Sequence, residues 1–221
     1  MKKIIFIFLI FVTAKVFAQY KIDTVAYFVE KTDKYSIEVY IPKMYDAVNQ
    51  EYAKDFNLQM EEMAKERKKY YQRMVKEITD DDIMPYQFHY SFEIVYSERD
   101  FISILFYSYE YLGGAHGITP LYSYNYDFYL RKIITLDDLF YGNYLKEISR
   151  ICIDELKNMN ISDDDWISEG ASPKPENYSV YNFLKDGVVI TFSQYQVGPY
   201  AIGTPQVYIE FDQLKKYLKK F

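Results

Sequence analysis

The sequence is poor in the residues on which most enzyme sites are built. It holds one cysteine, Cys152, and two histidines, His89 and His116. A lone cysteine cannot close an internal disulfide. A zinc centre needs three or four ligands at workable spacing, and this set does not supply them. Neither a Gly-x-Ser-x-Gly run nor a cysteine-led catalytic signature is present, so His116 has no nucleophile nearby in sequence to activate. The acidic triplets Asp80-Asp81-Asp82 and Asp163-Asp164-Asp165 lack the glycine and glutamate at calcium-loop spacing and read as polar connections. No metal and no cofactor is expected.

Long apolar runs are scarce too. The one that stands out is Ile4 to Val12, preceded by Lys2 and Lys3 and followed by Val16-Phe17-Ala18. That order of basic, apolar and small residues marks an export signal, residues 1–18, cut after Ala18. The run falls short of the roughly 20 residues of a membrane span, so no stable span is expected after cleavage. The signal takes three lysines with it, leaving 23 basic against 32 acidic residues and a net charge of −9. Such a balance argues against nucleic acid or an anionic membrane as partner.

Glycine is rare as well, eight in all, yet three of them fall in Tyr111-Leu112-Gly113-Gly114-Ala115-His116-Gly117-Ile118-Thr119-Pro120. Two strand-like runs flank the stretch, Phe101 to Tyr111 and Leu121 to Phe128. Glycines this dense between β-patterned runs predict the sharp turn of a central hairpin. Upstream, Lys21 to Glu30 and Tyr35 to Ile41 read as strands, with Pro42 ending the second. From Tyr45 to Ile78 the period changes. Val48, Tyr52, Phe56, Met60, Met63, Tyr70, Met74 and Ile78 form the apolar stripe of one long helix, which should stop before the acidic triplet at 80–82. Phe88 to Tyr96 is a further strand.

In the second half, Leu145, Ile148, Cys152, Leu156 and Met159 line another helix, with the thiol on its buried face. Asn160 to Asn177 reads as loop. Val180 to Leu184 and Val188 to Ser193 form a hairpin turned at Asp186-Gly187. Val207 to Phe211 is the last strand, and Asp212 to Lys220 a short C-terminal helix.

Tyrosine is abundant, 26 residues. Tyr107, Tyr109 and Tyr111 share one strand parity, as do Tyr122, Tyr124 and Tyr126 on the next strand. Across the hairpin the triplets could face the same side as a ladder. Such a ladder would be either an amphipathic platform for a partner or a face covered by a helix, with hydroxyls reaching its edge.

Four motifs in fixed order carry a resemblance: Gly113-Gly114-Ala115-His116-Gly117, Ile134-Thr135-Leu136-Asp137-Asp138-Leu139-Phe140, Phe183 to Phe192, and Tyr195-Gln196-Val197-Gly198-Pro199-Tyr200-Ala201-Ile202-Gly203. Together they resemble a bacterial extracytoplasmic domain family of unknown function, seen in the lysozyme-sensing anti-sigma factor RsiV. A related arrangement precedes the catalytic domain of the peptidoglycan deacetylase PdaC. In that family a smaller α/β domain comes first, and residues 22–110 match its strand–strand–helix–strand–strand layout. The resemblance implies cell-wall surroundings and, in the anti-sigma branch, a lysozyme partner.

The expected fold is α+β: antiparallel sheets, a long helix in the N-terminal half, and an RsiV-like mixture of helix and strand in the C-terminal half. The expected divisions are 1–18, 19–111 and 112–221. The expected function is an exported, periplasmic or extracellular, non-catalytic binding module for a protein such as lysozyme or a peptidoglycan fragment. The alternative is a hydrolase acting on peptidoglycan or carbohydrate. The expected binding residues are Tyr107, Tyr109, Gly113, Gly114, His116, Gly117, Tyr122, Tyr124, Gly198, Pro199 and Tyr200. A competing account makes both glycine loops demanding turns that pack on each other.

Overall fold

A computed structural model describes residues 20–78 and 85–219. The expected export signal and the first acidic triplet lie outside the described residues. None of the described helices is long and apolar enough to cross a membrane.

The fold is α+β. Strands β1 (Lys21–Lys31) and β2 (Tyr35–Tyr45) form the first hairpin. Helix α1 (Gln50–Met74) follows, extended by a 3₁₀ turn, Val75–Glu77. Then come β3 (Tyr86–Glu98), β4 (Phe101–Tyr111), β5 (Leu121–Asp127) and the short β6 (Lys132–Ile133). These six strands make one sheet in sequential order. One pair departs from the antiparallel expectation: β2 and β3 run parallel, Tyr35 opposite Tyr86 through Val39 opposite Tyr90. The reason is α1, which carries the chain back to the end from which β2 started, as a crossover helix does.

The helix begins later than its stripe suggests because β2 runs through Pro42 to Tyr45. Proline is tolerated there since β2 has β3 beside it only as far as Val39 and then keeps β1 alone. The side-chain amide of Asn57 accepts from Met44 N–H (2.7 Å) and donates to Met44 C=O (3.0 Å). In this way α1 satisfies the free edge of the strand's last turn. Asn49 caps the helix, its side chain accepting from Glu51 N–H. The buried stripe is Ala53, Phe56, Met60, Ala64 and Tyr71, whereas Val48 lies outside, 80 % exposed. Phe56 packs edge-on to Tyr124 and Phe128, and Tyr71 meets Phe88, so α1 lies across one face of the sheet.

The C-terminal module has its own core. Helix α2 (Leu136–Leu139) is a single turn closed by a capping box between Thr135 and Asp138. Helix α3 (Tyr144–Asn158) lays Ile148, Cys152 and Leu156 against β8 (Gly187–Thr191) and β9 (Gln206–Glu210), which with β7 (Tyr181–Phe183) form an antiparallel sheet. Cys152 is fully buried, and burial pushes its thiol well above the usual range. It is an inert core residue, as its helix position implied.

Two local readings change. The stretch expected to be loop holds α4 (Asp164–Gly170) and a 3₁₀ turn, Pro175–Tyr178. Asp163 is the N-cap of α4, its carboxylate accepting from Trp166 N–H at 2.9 Å. The expected C-terminal helix is instead a series of i→i+3 turns from Gln213 to Tyr217. Leu218 then pairs with Phe140, a tertiary pairing that overrides a nine-residue helix of modest propensity.

The two cores part after β6. A division at 111/112 would cut the β4–β5 hairpin, which lies wholly in the first sheet. The modules are joined on the sheet face opposite α1. There Asn125 Nδ2 donates to Tyr181 C=O (3.0 Å), and Asn125 Oδ1 accepts from Phe183 N–H (3.1 Å) and Ser103 Oγ (2.7 Å). Ser123 Oγ accepts from Tyr181 N–H at 2.8 Å. Side chains of the first sheet thus take the place of a strand partner along β7.

Candidate binding surface

The hinge starts from backbone geometry. Pairing of β4 with β5 continues past the strands to Glu110 and Ile118, joined by reciprocal bonds of 2.8 and 2.9 Å. Gly113 and Gly114 turn the chain at φ of +87° and +93°, a region that costs any residue with a Cβ. Tyr111 holds the turn from within, donating its hydroxyl to Gly114 C=O at 3.0 Å. Gly117 is present for space: a Cβ there would lie 2.5 Å from the Tyr109 ring and 2.7 Å from Glu110 O.

The second motif loop comes to meet it. Gln194 Oε1 accepts from Thr119 N–H of the hinge at 2.9 Å. Gln196 is bound on the other side, donating to Gly170 C=O (3.0 Å) and Asn177 C=O (2.9 Å) and accepting from Ser193 N–H (3.0 Å). Between these two anchors Tyr195 stands at φ +65°, a left-handed backbone costing of order 1–2 kcal/mol for an L residue. Trp166 Nε1 donates to its carbonyl at 3.1 Å. The strain is held by its neighbours, and it turns the Tyr195 ring outward, 47 % exposed.

His116 closes the junction. Its exposed ring stacks on Tyr200, with centroids 3.7 Å apart and planes at 17°. Nδ1 lies 3.1 Å from Gly117 O and Nε2 3.0 Å from the Tyr195 hydroxyl. A carbonyl only accepts, so Nδ1 carries the proton and Nε2 of the neutral ring accepts from Tyr195. Both ring nitrogens are engaged, and neither partner is a carboxylate. What results is a surface cluster of three rings, the exposed His116 and Tyr195 and the half-buried Tyr200, edged by the exposed Pro199. Beneath it lies the buried Gly198, where a Cβ would sit 2.8 Å from Ser162 Cβ.

The sequence-predicted residues divide. Tyr109, Gly113, Gly114, His116, Gly117, Gly198, Pro199 and Tyr200 converge on this junction. The tyrosine ladder does not exist. β4 and β5 pair Phe106 with Tyr122, Ile104 with Tyr124 and Ile102 with Tyr126, and residues directly opposite share a face. The 122–126 triplet therefore sits on the α1 side and the 107–111 triplet on the other. Tyr124 is buried, 4 % exposed, its hydroxyl donating to Gln59 Oε1 at 3.0 Å, so it offers no surface to a partner. Tyr122 is exposed, but on the α1 side, away from the ring layer. Tyr107 is half-buried and donates to Glu93 at 2.9 Å. Sequence reasoning missed Tyr195, Trp166, Gln194 and Gln196. Two of them, Tyr195 and Gln196, stand inside the motif from Tyr195 to Gly203, which was the available signal. Among the described residues no group of three or more metal-ligating side chains forms.

Comparison with known proteins gives this layout a family context. The family model for deacetylase PdaC matches residues 28–119, and that for a protein of unknown function, DUF3298, matches residues 137–212. The peptidoglycan-N-acetylmuramic acid deacetylase PdaC of Bacillus subtilis (strain 168) is 36% identical over 133 residues, spanning 58% of this chain and 28% of that protein. The chain therefore covers well under half of that relative. Two crystal structures share the fold. A DUF3298 protein from Bacteroides fragilis NCTC 9343 has a TM-score of 0.65 at 16% identity, covering 92% of this chain and 95% of the other. One from Pseudomonas aeruginosa PAO1 has 0.62 at 15%, covering 90% and 94%. The first half of the chain thus resembles the PdaC family and the second half the DUF3298 family, in a fold that the two DUF3298 structures share.

Proposed function

We propose that the chain is an exported, non-catalytic binding module of the cell envelope that recognises the glycan of peptidoglycan through the His116–Tyr195–Tyr200 surface. One observation carries the reading. Two loops about 80 residues apart in sequence are fastened together by Gln194 and Thr119 so as to cluster three rings at the surface, His116 stacked on Tyr200 and Tyr195 tilted against both. Flat rings with polar edges suit the apolar faces and hydroxyls of a sugar, and their rigidity keeps the entropic cost of binding low. The matched relative, named for its action on peptidoglycan N-acetylmuramic acid, supports the choice of ligand. Against the hydrolase alternative stands His116 itself. Its Nε2 is occupied by a phenol and its Nδ1 by a carbonyl, with no carboxylate to orient it as a base.

Co-sedimentation with purified peptidoglycan sacculi tests the reading, with a lysozyme-coupled resin in parallel. Tyr195→Ala and Tyr200→Ala should each weaken sacculus binding about tenfold, near 1.4 kcal/mol, with little change in melting temperature. Retention on lysozyme but not on sacculi would make the partner a protein. Release of soluble sugar from sacculi, lost in His116→Ala, would restore the hydrolase.

A further inference from the structure

A second feature lies on the opposite face of the same hairpin. Between the C-terminal half of α1 and the hinge end of β4 and β5 runs an open groove of about 930 Å³. At its base is the half-buried guanidinium of Arg67. Four tyrosine rings surround it, with centroid distances of 4.8 Å to Tyr122, 5.2 Å to Tyr90, 5.5 Å to Tyr70 and 5.8 Å to Tyr71. Among the described residues no carboxylate pairs with it.

The acids that line the groove are already engaged. Glu62 pairs with Lys65 at 3.3 Å and Glu66 with Lys69 at 2.7 Å. Glu110, 6 % exposed, accepts from the Tyr70 hydroxyl at 3.2 Å and from Ser108 Oγ at 3.4 Å. Burying a cation without a counter-ion is costly, and only neutral groups offset that cost here: the ring faces, about 0.5–2 kcal/mol by cation–π attraction, and the Tyr122 hydroxyl, which accepts a hydrogen bond from the guanidinium. A guanidinium presents a planar fork of donors that fits one carboxylate in two parallel bonds. The same groove offers the exposed ring of Tyr122, 40 % accessible, for a sugar face to lie against, and acid oxygens at its rim to accept hydroxyls.

We infer that this groove binds a carboxylate-bearing N-acyl sugar, with its carboxylate on Arg67 and its ring against Tyr122. The choice of an N-acyl sugar rests on the proposed envelope role, while the requirement for a carboxylate comes from Arg67 and its ring cage alone. The site is separate from the His116 surface, and the two can fail independently.

Calorimetric titration of the exported protein with N-acetylmuramic acid, and with N-acetylglucosamine, which lacks the lactyl carboxylate, provides the test. The first sugar should bind saturably and the second at least tenfold more weakly, with the difference shrinking as salt rises. Arg67→Gln should abolish the discrimination. Arg67→Lys keeps the charge but not the fork, and should retain the melting temperature while losing most of the affinity. Tyr122→Ala, at an exposed ring, should weaken binding without unfolding. Tyr195→Ala should bind N-acetylmuramic acid as the unaltered protein does even where sacculus binding is lost. Equal binding of the two sugars, no binding of either, or unaltered binding in folded Arg67→Lys and Tyr122→Ala would overturn the assignment.

Discussion

The two tyrosine triplets of the central hairpin have the same spacing and opposite surroundings. Tyr124 and Tyr126 lie under α1, both 4 % exposed, and end on Gln59 and Asp55 of that helix. Their rings stack on each other, 5.6 Å apart, and fill the first core. Tyr107, Tyr109 and Tyr111 stay half-buried on the other face, where their tasks are local. Tyr107 reaches Glu93, Tyr109 backs Gly117 and Tyr111 pins Gly114. A residue type at a fixed interval says only that its members share a face. The strand partner decides which face, and shifting the pairing by one residue would exchange the two sets.

The contrast is sharpest in the core. Tyr124→Ala should cost about 3–5 kcal/mol, the range for emptying a buried aromatic site, while Tyr107→Ala should cost about 1 kcal/mol, near the centre for point changes. Denaturant unfolding of both variants checks it, and equal losses would break the division between the faces.

The hinge that sets the pairing should respond next. Gly114→Val places a β-branched side chain at φ +93°, for an expected loss of about 1–3 kcal/mol. No heavy atom lies within 4 Å of its added Cβ, so the loss would come from backbone strain alone. Gly114→Asn, which tolerates such backbone better, should recover part of it. An unchanged stability in Gly114→Val would show that the turn relaxes freely and does not constrain the register.

The smallest effect is a titration. Burial, and after it the hydrogen bond to Asp55, pushes the Tyr126 phenol up to about 12. Burial, and then Glu93, does the same for Tyr107. A raised phenol pKa favours the protonated folded state. Its contribution is complete below the unfolded value of 10 and is lost as pH rises from there through about 12. Phenolate absorbance should therefore rise in two stages. The later stage should belong to the core rings, which ionise only with unfolding. In Tyr107→Phe the first stage should be unchanged and the alkaline unfolding only slightly later. A single stage near pH 10 would contradict the buried placement.

What could be read from the chain was local. The stripe from Tyr52 to Met74 announced α1, because an apolar face recurring every three or four residues has one helical solution. The spacing of Ile148, Cys152 and Leu156 did the same for α3. Gly113-Gly114 marked a reversal, since only residues without a Cβ take φ near +90° cheaply. Short elements left weaker traces. Asp163 before Trp166 and Ile167 is a legible cap, yet a seven-residue helix is too brief to show a period. Everything that depended on distant pairing was decided by the tertiary structure: β3 parallel to β2, the parity of the β4–β5 register, and the unwinding of residues 212–218 as the chain pairs at Phe140. The candidate surface belongs to that second class. Its motif loops are visible in the sequence, but Tyr195 becomes part of a site only because Gln194 and Gln196 fasten its neighbours to Thr119 and Gly170, contacts between segments that no local spacing relates.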